Sequence, residues 1–255
     1  MDLGLKGRVA IVTGASRGIG RAIAVSLAAE GVRLTVNARG AEPLKAFADE
    51  LTAHGTEVAN VAVDVTSVAG CQQVFDQTLE RFGQVDILIN NVGGGAATTV
   101  DAADEEWQAA LDLTFWPSLR LTRLVVPEMR RHGRGAIVMI ASIYGREAGG
   151  RLGYQVVKSA EISLAKGLAR ELAPDNIRVL SVAPGSILFP GGAWERRQQD
   201  DPRAMAEFVR RDMPLGRFGR PEEVADVVSF LCSDRASLVT GASIPIDGCQ
   251  SRSLI

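Results

Sequence analysis

The chain has 255 residues, enough for one α/β domain with a full core. Apolar residues make up 46 % and charged residues 23 %, as in soluble globular proteins, and the net charge of −2 gives no reason to expect a nucleic-acid partner. Three scattered cysteines (Cys71, Cys232, Cys249) indicate a reducing compartment, and two histidines without a CxxC or HExxH pattern argue against a metal site.

The first predicted element is a strand at 9–12, which leads through a glycine-rich turn into an amphipathic helix at 19–30. The turn reads TGASRGIG and holds the candidate cofactor residues Gly14, Ser16, Arg17, Gly18, Ile19 and Gly20. Glycines let a backbone approach a pyrophosphate, and a helix N-terminus offers free amides and partial positive charge. The spacing GxxxGxG differs from the commoner GxGxxG, and a plain turn fits it too.

Strands and helices alternate along the rest of the chain. Further strands are predicted at 34–37, 58–63, 87–90, 136–141, 179–182 and 244–246. Further helices are predicted at 43–53, 68–82, 104–129, 154–173 and 221–233. This alternation predicts right-handed crossovers and a single α/β domain over residues 1–255, a Rossmann-type doubly wound parallel sheet of about seven strands with helices on both faces.

The end of the second strand bears on the choice of nucleotide. A site that prefers NAD needs an acid there to accept a hydrogen bond from the ribose 2′-hydroxyl. Here the strand ends Asn37-Ala38-Arg39, and no acid appears before Glu42. The guanidinium groups of Arg39 and of Arg17 suit a 2′-phosphate, although each also fits an ordinary surface charge.

A second pattern combines Ser142 with Tyr154 and Lys158. On a helix, the spacing of four puts the phenol and the ammonium on one face. A fixed positive charge beside a phenol favours the phenolate, which can exchange a proton with a carbonyl oxygen. A solvated helix face fits the same spacing.

The interval 186–219 breaks the alternation. It contains a Gly-Gly pair, a tryptophan and a run of charged residues. Because it follows the C-terminal end of a strand, where open α/β sheets bind ligands, we expect a substrate lid there rather than an inert surface excursion.

Together these motifs resemble the short-chain dehydrogenase/reductase family over nearly the whole chain. Three more segments fit the resemblance: Asn90-Asn91-Val92-Gly93, Pro184-Gly185-Ser186-Ile187 and Ile246-Asp247-Gly248. The chain looks most similar to the 3-oxoacyl-[acyl-carrier-protein] reductase branch, whose members also read TGASRGIGRAIA. That branch includes reductases of many other carbonyls.

The resemblance implies roles for single residues. Tyr154 would be the acid or base, Ser142 would hydrogen-bond the substrate oxygen, and Lys158 would favour the phenolate and hold the nicotinamide ribose. Arg17 and Arg39 match positions that read the 2′-phosphate, so the implied cofactor is NADP(H). The remaining implied cofactor contacts are Asp64, Val65, Asn91, Pro184, Gly185 and Ile187.

One position departs from the family pattern. Members usually have an asparagine where this chain has Thr114, and the distorted helix there holds a water connected to the lysine. Proline has no N–H, so Pro117 would free the Leu113 carbonyl and could keep such a water at a kink. The alternative is that Thr114 only packs and the relay is weakened.

The resemblance predicts NADPH-dependent reduction of a ketone, or the reverse oxidation, on a small-molecule carbonyl or a carrier-protein thioester. Arg130, Arg131 and Arg134 could attract an acidic carrier protein, although such a cluster also fits an ordinary solvated surface. Asp175 argues against a carrier protein, because carrier-protein reductases often have a basic residue at that position. A regulator or scaffold that binds NADP(H) without efficient turnover is the alternative.

The chain as a whole is expected to be a cytoplasmic homotetramer or homodimer that pairs helices 104–129 and 154–173. We expect neither a signal peptide nor a membrane span, because the N-terminus lacks a basic region followed by an apolar core and no apolar run approaches 18 residues.

Overall fold

The computed structural model describes residues 2–95 and 97–254, and its centre is a seven-stranded parallel sheet. The strands are β1 (Val9–Val12), β2 (Arg33–Ala38), β3 (Val58–Ala62), β4 (Ile87–Asn90), β5 (Gly135–Ile140), β6 (Ile177–Pro184) and β7 (Ser243–Ile246). Their order across the sheet is β3-β2-β1-β4-β5-β6-β7, with every neighbouring pair parallel. The predicted doubly wound sheet is confirmed.

Helices connect the strands and close the fold. They are α1 (Gly18–Ala29), α2 (Ala41–Ala53), α3 (Val68–Phe82), α4 (Asp104–His132), α5 (Leu152–Leu172), α6 (Ala193–Asp200), α7 (Pro202–Asp212) and α8 (Pro221–Cys232). Within residues 2–95 and 97–254, no helix has both the length and the apolar character needed to cross a bilayer.

Two apolar layers, one on each face of the sheet, form the core. One includes Ile23 of α1, Leu44 of α2 and Val228 of α8. The other includes Val74 of α3 and Leu121 of α4. Strands covered on both faces have no polar side to expose, which explains why all four residues of β1 are fully buried and apolar.

The strand order reverses between β1 and β4. From β1 the chain moves outward to β2 and β3, and it then returns to β4 on the other side. The loops that follow β1 and β4 therefore diverge, and a crevice opens at the carboxyl ends of these two strands.

The interval 186–219 is more ordered than its sequence pattern indicated. It contains α6 and α7, which the alternation did not predict. The indole ring of Trp194 stacks on Phe208 with centroids 4.8 Å apart and lies 5.4 Å from the Phe218 ring. This aromatic cluster joins the two helices to the segment that leads into α8.

Candidate active site

A cavity of about 660 Å³ opens at the carboxyl ends of β1 and β4. Eight of the predicted cofactor residues line it: Gly14, Ser16, Arg17, Ile19, Arg39, Asp64, Val65 and Asn91. The sequence places these residues in four separate segments, and the parallel sheet brings them to one edge.

The glycine turn has little room for side chains. Gly14 and Gly18 have φ values of +62° and +58°, a region that L side chains rarely adopt. A Cβ on Gly14 would lie 2.8 Å from Nδ2 of Asn91, and one on Gly20 would lie 2.5 Å from the Gly14 carbonyl oxygen. Asn91 Nδ2 also donates to the Thr13 carbonyl at 2.9 Å, so this amide holds the turn at the start of α1.

Two exposed arginines, Arg17 and Arg39, line the cavity. An acid at the end of β2, which would favour NAD, is absent from this position. Arg39 follows Ala38, the buried last residue of β2, and Arg17 precedes the first turn of α1. Arg17 Nη1 donates to the Gly191 carbonyl at 3.2 Å, which ties the glycine turn to the 186–219 segment. The residues present fit a dinucleotide that carries a 2′-phosphate.

Phe189 is a cavity residue that the sequence reasoning missed. Its ring lies over the glycine turn, because a Cβ on Gly18 would come within 2.7 Å of Phe189 Cε2. It also lines the cavity. The available sequence signal was an aromatic residue in the glycine-containing loop that follows β6.

Three predicted cofactor residues lie at the far side of the site. Pro184 ends β6, and the Gly185 amide donates to the Ile246 carbonyl of β7 at 3.1 Å. Ile187 is buried and bridges to Gly219. None of the three lines the large cavity.

The candidate proton-transfer residues come from β5 and α5. Ser142 follows β5, is 6 % exposed, and accepts a hydrogen bond from the Tyr144 amide at 3.2 Å. Tyr154 and Lys158 lie one turn apart near the start of α5, with Lys158 Nζ 5.8 Å from the Tyr154 ring centroid. The helix expected at 154–173 thus begins one half-turn earlier, at Leu152.

The loop after β4 packs directly against these residues. A Cβ on Gly93 would lie 2.8 Å from Lys158 Nζ, and one on Gly95 would lie 2.5 Å from Tyr154 Cβ. Gly93 also lines the large cavity. The cavity wall is therefore continuous with the tyrosine and lysine.

Lys158 has a buried acidic partner that the sequence reasoning also missed. Its Nζ donates to Glu161 Oε2 and to the Ile140 carbonyl, both at 2.7 Å, and Glu161 is fully buried. Burial alone would lower the pKa of Lys158, but attraction to Glu161 and Tyr154 and the hydrogen bond to Glu161 outweigh it, so this pKa is raised. The available signal was an acid on the apolar face of α5.

Thr114 contacts the loop after β4 through its hydroxyl. Its Oγ1 donates to the Gly94 carbonyl at 2.8 Å and accepts from the Gly94 amide at 3.0 Å. Helix α4 continues through Pro117 to His132. The sequence pattern did not predict the contact between the Thr114 hydroxyl and Gly94. The water at the Leu113 carbonyl stays a prediction.

Replacing Thr114 with valine should destabilise the protein by about 0.5–1.5 kcal/mol, because both polar groups of the half-buried Gly94 lose the hydroxyl as their hydrogen-bond partner. Turnover should fall as well, since the same loop packs on Tyr154. Thr114→Ser keeps the hydroxyl and serves as the control in a chemical-denaturation series. Equal stability of the valine and serine variants would show that the Gly94 contacts contribute little.

A second, polar cavity of about 500 Å³ is lined in part by Ile143 and Tyr144, the two residues that follow Ser142. Its lining includes Tyr144, Glu147, Arg211, Asp212, Gln250 and Arg252. Burial raises the pKa of the Tyr144 phenol, and Arg197 opposes this rise. Tyr144 is thus held as a neutral hydrogen-bonding group beside charged neighbours.

The three arginines expected to attract a carrier protein each have an acidic partner. Arg130 pairs with Asp175 at 2.7 Å, and Arg134 pairs with the buried Asp86 at 3.0 Å. Arg131 pairs with Glu128 of the same helix. Paired charges attract a distant acidic surface only weakly.

Comparison with known proteins gives consistent matches over almost the whole chain. The family model described as Enoyl-(Acyl carrier protein) reductase matches residues 14–249. The 3-oxoacyl-[acyl-carrier-protein] reductase of Thermotoga maritima is 35 % identical over 96 % of this chain and 98 % of its own length. The L-sorbose reductase of Gluconobacter frateurii, solved with NADPH and L-sorbose, is 38 % identical with a TM-score of 0.94 over 100 % of both chains.

A 7α-hydroxysteroid dehydrogenase, solved with NADH and a 7-oxo bile acid, is 30 % identical with a TM-score of 0.91 and covers 100 % of this chain and 98 % of its own. These relatives share one fold while their names differ in substrate. The sequence motifs, the sheet order and the extent of these matches together establish that the chain belongs to the short-chain dehydrogenase/reductase family of oxidoreductases.

Proposed function

We propose that the protein is an NADP(H)-dependent reductase of small ketones, which also runs the reverse oxidation of secondary alcohols. The observation that carries the proposal is that a cavity edged by Arg17 and Arg39 reaches Gly93, which lies against Lys158. Two residues further along the same loop, Gly95 lies against Tyr154. The NADPH found with the sorbose reductase agrees with the cofactor choice.

Three residues of the chain would each have a separate role in the reaction. Bound NADPH supplies the hydride. Ser142 would donate a hydrogen bond to the substrate oxygen, and Tyr154 would give its proton to the alkoxide that hydride addition creates. Lys158 would stabilise the developing phenolate by its charge. In the oxidative direction the same groups act in reverse order.

The polar cavity favours a small hydrophilic substrate. Tyr144, Arg211, Gln250 and Arg252 offer hydrogen-bonding groups to a hydroxylated ketone beside Ser142. The sorbose reductase, with its sugar ligand, supports this class. The ion pairs of Arg130 and its neighbours argue against a carrier-protein dock.

A substrate panel with NADPH tests the proposal. The panel should contain polyhydroxylated ketones, cyclic diketones, a bile-acid ketone and 3-oxoacyl thioesters, both free and on a carrier protein. We expect the highest kcat/KM for a small hydroxylated ketone. Highest activity on the carrier-bound thioester would assign the carrier-protein class instead. NADPH binding without turnover of any member would favour the regulator or scaffold.

The 186–219 segment with α6 and α7 is proposed to be the substrate lid of this single domain. We also retain the proposal of a cytoplasmic homo-oligomer, a tetramer or dimer built on α4 and α5. Exposed Leu152 and Val156 at the start of α5 support such pairing. Light scattering at micromolar concentration measures the assembly directly, and a monomer there would contradict it.

A further inference from the structure

Helix α5 carries an ionisable stripe that continues past the expected catalytic pair. Tyr154, Lys158 and Glu161 follow one another at spacings of four and three, so all three lie on one face of the helix. Lys158 and Glu161 are 3 % and 0 % exposed. A carboxyl group with no access to water is rare in proteins unless it has a defined partner.

The facing helix supplies a support for the carboxylate. Ser118 of α4 is buried, and its hydroxyl lies 2.9 Å from Glu161 Oε1 and 3.1 Å from the Thr114 carbonyl. Lys158 Nζ donates a hydrogen bond to Oε2 of the same carboxylate. Both oxygens of Glu161 are therefore engaged, one by each helix.

We propose that Glu161 is a positioning residue, a buried counter-ion that keeps the Lys158 ammonium charged and fixed beside Tyr154, with Ser118 holding the carboxylate. The assignment of Tyr154 and Lys158 to proton transfer rests on the proposed function. The counter-ion role itself rests on the contacts of Glu161. Thr114, one turn before Ser118 on α4, holds the Gly94 loop through its own hydroxyl, so the same helix supports both sides of the site.

Burial and electrostatic attraction act on the Lys158 ammonium in opposite directions. An ammonium in a dry site loses its hydration, which favours the neutral amine, and an adjacent carboxylate reverses this preference. Within the described residues, the titratable groups acting on Lys158 are Glu161 and Tyr154 of the same helix. The elements packed against it contribute the Ser118 hydroxyl from α4 and the Ile140 carbonyl from β5.

The composition of the chain allows a direct test that needs neither substrate nor cofactor. The sequence has four lysines, and Lys6, Lys45 and Lys166 are exposed. In protein labelled with ¹³C-lysine, the Cε signal of the buried residue can be assigned with Lys158→Met. We expect the unmodified protein to keep this lysine charged to at least as high a pH as the exposed three. If Lys158 loses its charge at a lower pH than the three exposed lysines do, the proposal is overturned.

Glu161→Gln keeps the size and hydrogen-bonding capacity of the side chain but removes its charge. The Lys158 signal should then titrate at clearly lower pH, and kcat should fall about tenfold for each pH unit above the pH at which Lys158 is half neutralised. Glu161→Asp should restore part of both. Ser118→Ala should produce a smaller change of the same direction, and it keeps the test valid if Glu161→Gln does not fold.

A matched control separates this role from mere packing. Thr78 is also buried and hydrogen-bonded, to Thr35 at 2.9 Å. Thr78→Val should lower the melting temperature without moving the Lys158 signal. If Glu161→Gln likewise changes stability alone, Glu161 is only structural. A shifted lysine in a protein that turns over no ketone would instead overturn the proposed function and leave the counter-ion role standing.

Discussion

Tyr154→Phe is expected to lower kcat for ketone reduction by about 10²–10⁴-fold, the contribution typical of a positioned acid. The affinity for NADPH should change little. The phenol acts mainly on the charge that develops during hydride transfer, so its loss affects the transition state more than the bound ground state. Steady-state NADPH oxidation gives kcat, and quenching of tryptophan fluorescence gives the NADPH dissociation constant.

Two further variants make this result specific. Lys158→Met should damage both kcat and NADPH affinity, because Lys158 is proposed to contact the cofactor as well as to influence the tyrosine. Tyr144→Phe removes the other phenol, which lines the polar cavity, and should act mainly on the substrate KM. Turnover by Tyr154→Phe within tenfold of the unmodified protein would place the acid elsewhere.

Replacing Arg17 and Arg39 together with alanine should abolish the preference for NADPH over NADH. We expect the unmodified protein to favour NADPH by at least roughly tenfold in kcat/KM, which corresponds to about 1.4 kcal/mol. Both arginines are exposed and line the cavity, and position 38 has no acid that could accept a hydrogen bond from the 2′-hydroxyl of NAD. The double variant should lose NADPH activity and keep most of its NADH activity.

The single variants Arg17→Ala and Arg39→Ala show how much each arginine contributes to the preference for NADPH. Arg39→Ala is the cleaner of the two, because Arg17 also donates to Gly191 and its loss affects the 186–219 segment. Arg81→Ala at the end of α3 removes an arginine outside the cavity and should leave the cofactor ratio unchanged. Equal kcat/KM for the two cofactors in the unmodified protein would contradict the assignment of both arginines.

Much of this architecture could be predicted from local sequence. The bounds of β1 and β4 agree with apolar runs, because a strand buried on both faces of the sheet is apolar at nearly every position. The bounds of α3 agree with helical periodicity, because a helix buried along one stripe repeats its apolar residues every three to four positions. The glycine turn was predictable for the same local reason: strand, turn and helix N-terminus are neighbours in sequence. Ser142, Tyr154 and Lys158 were found by motif, and their catalytic roles remain proposals.

The tertiary structure decided what depends on contacts between distant segments. Thr114 is 20 residues from Gly94, and Ser118 is 43 from Glu161, so no local pattern could predict that these side chains bond. Phe189 reaches Gly18 only because the 186–219 segment folds back over the start of α1. The sequence alone determined the fold class and the family, since these follow from local periodicity and motifs. Glu161 is a helical neighbour of Lys158, three residues on, but only the packing of α4 against α5 buries the pair, because a folded core is needed to remove a carboxylate from water.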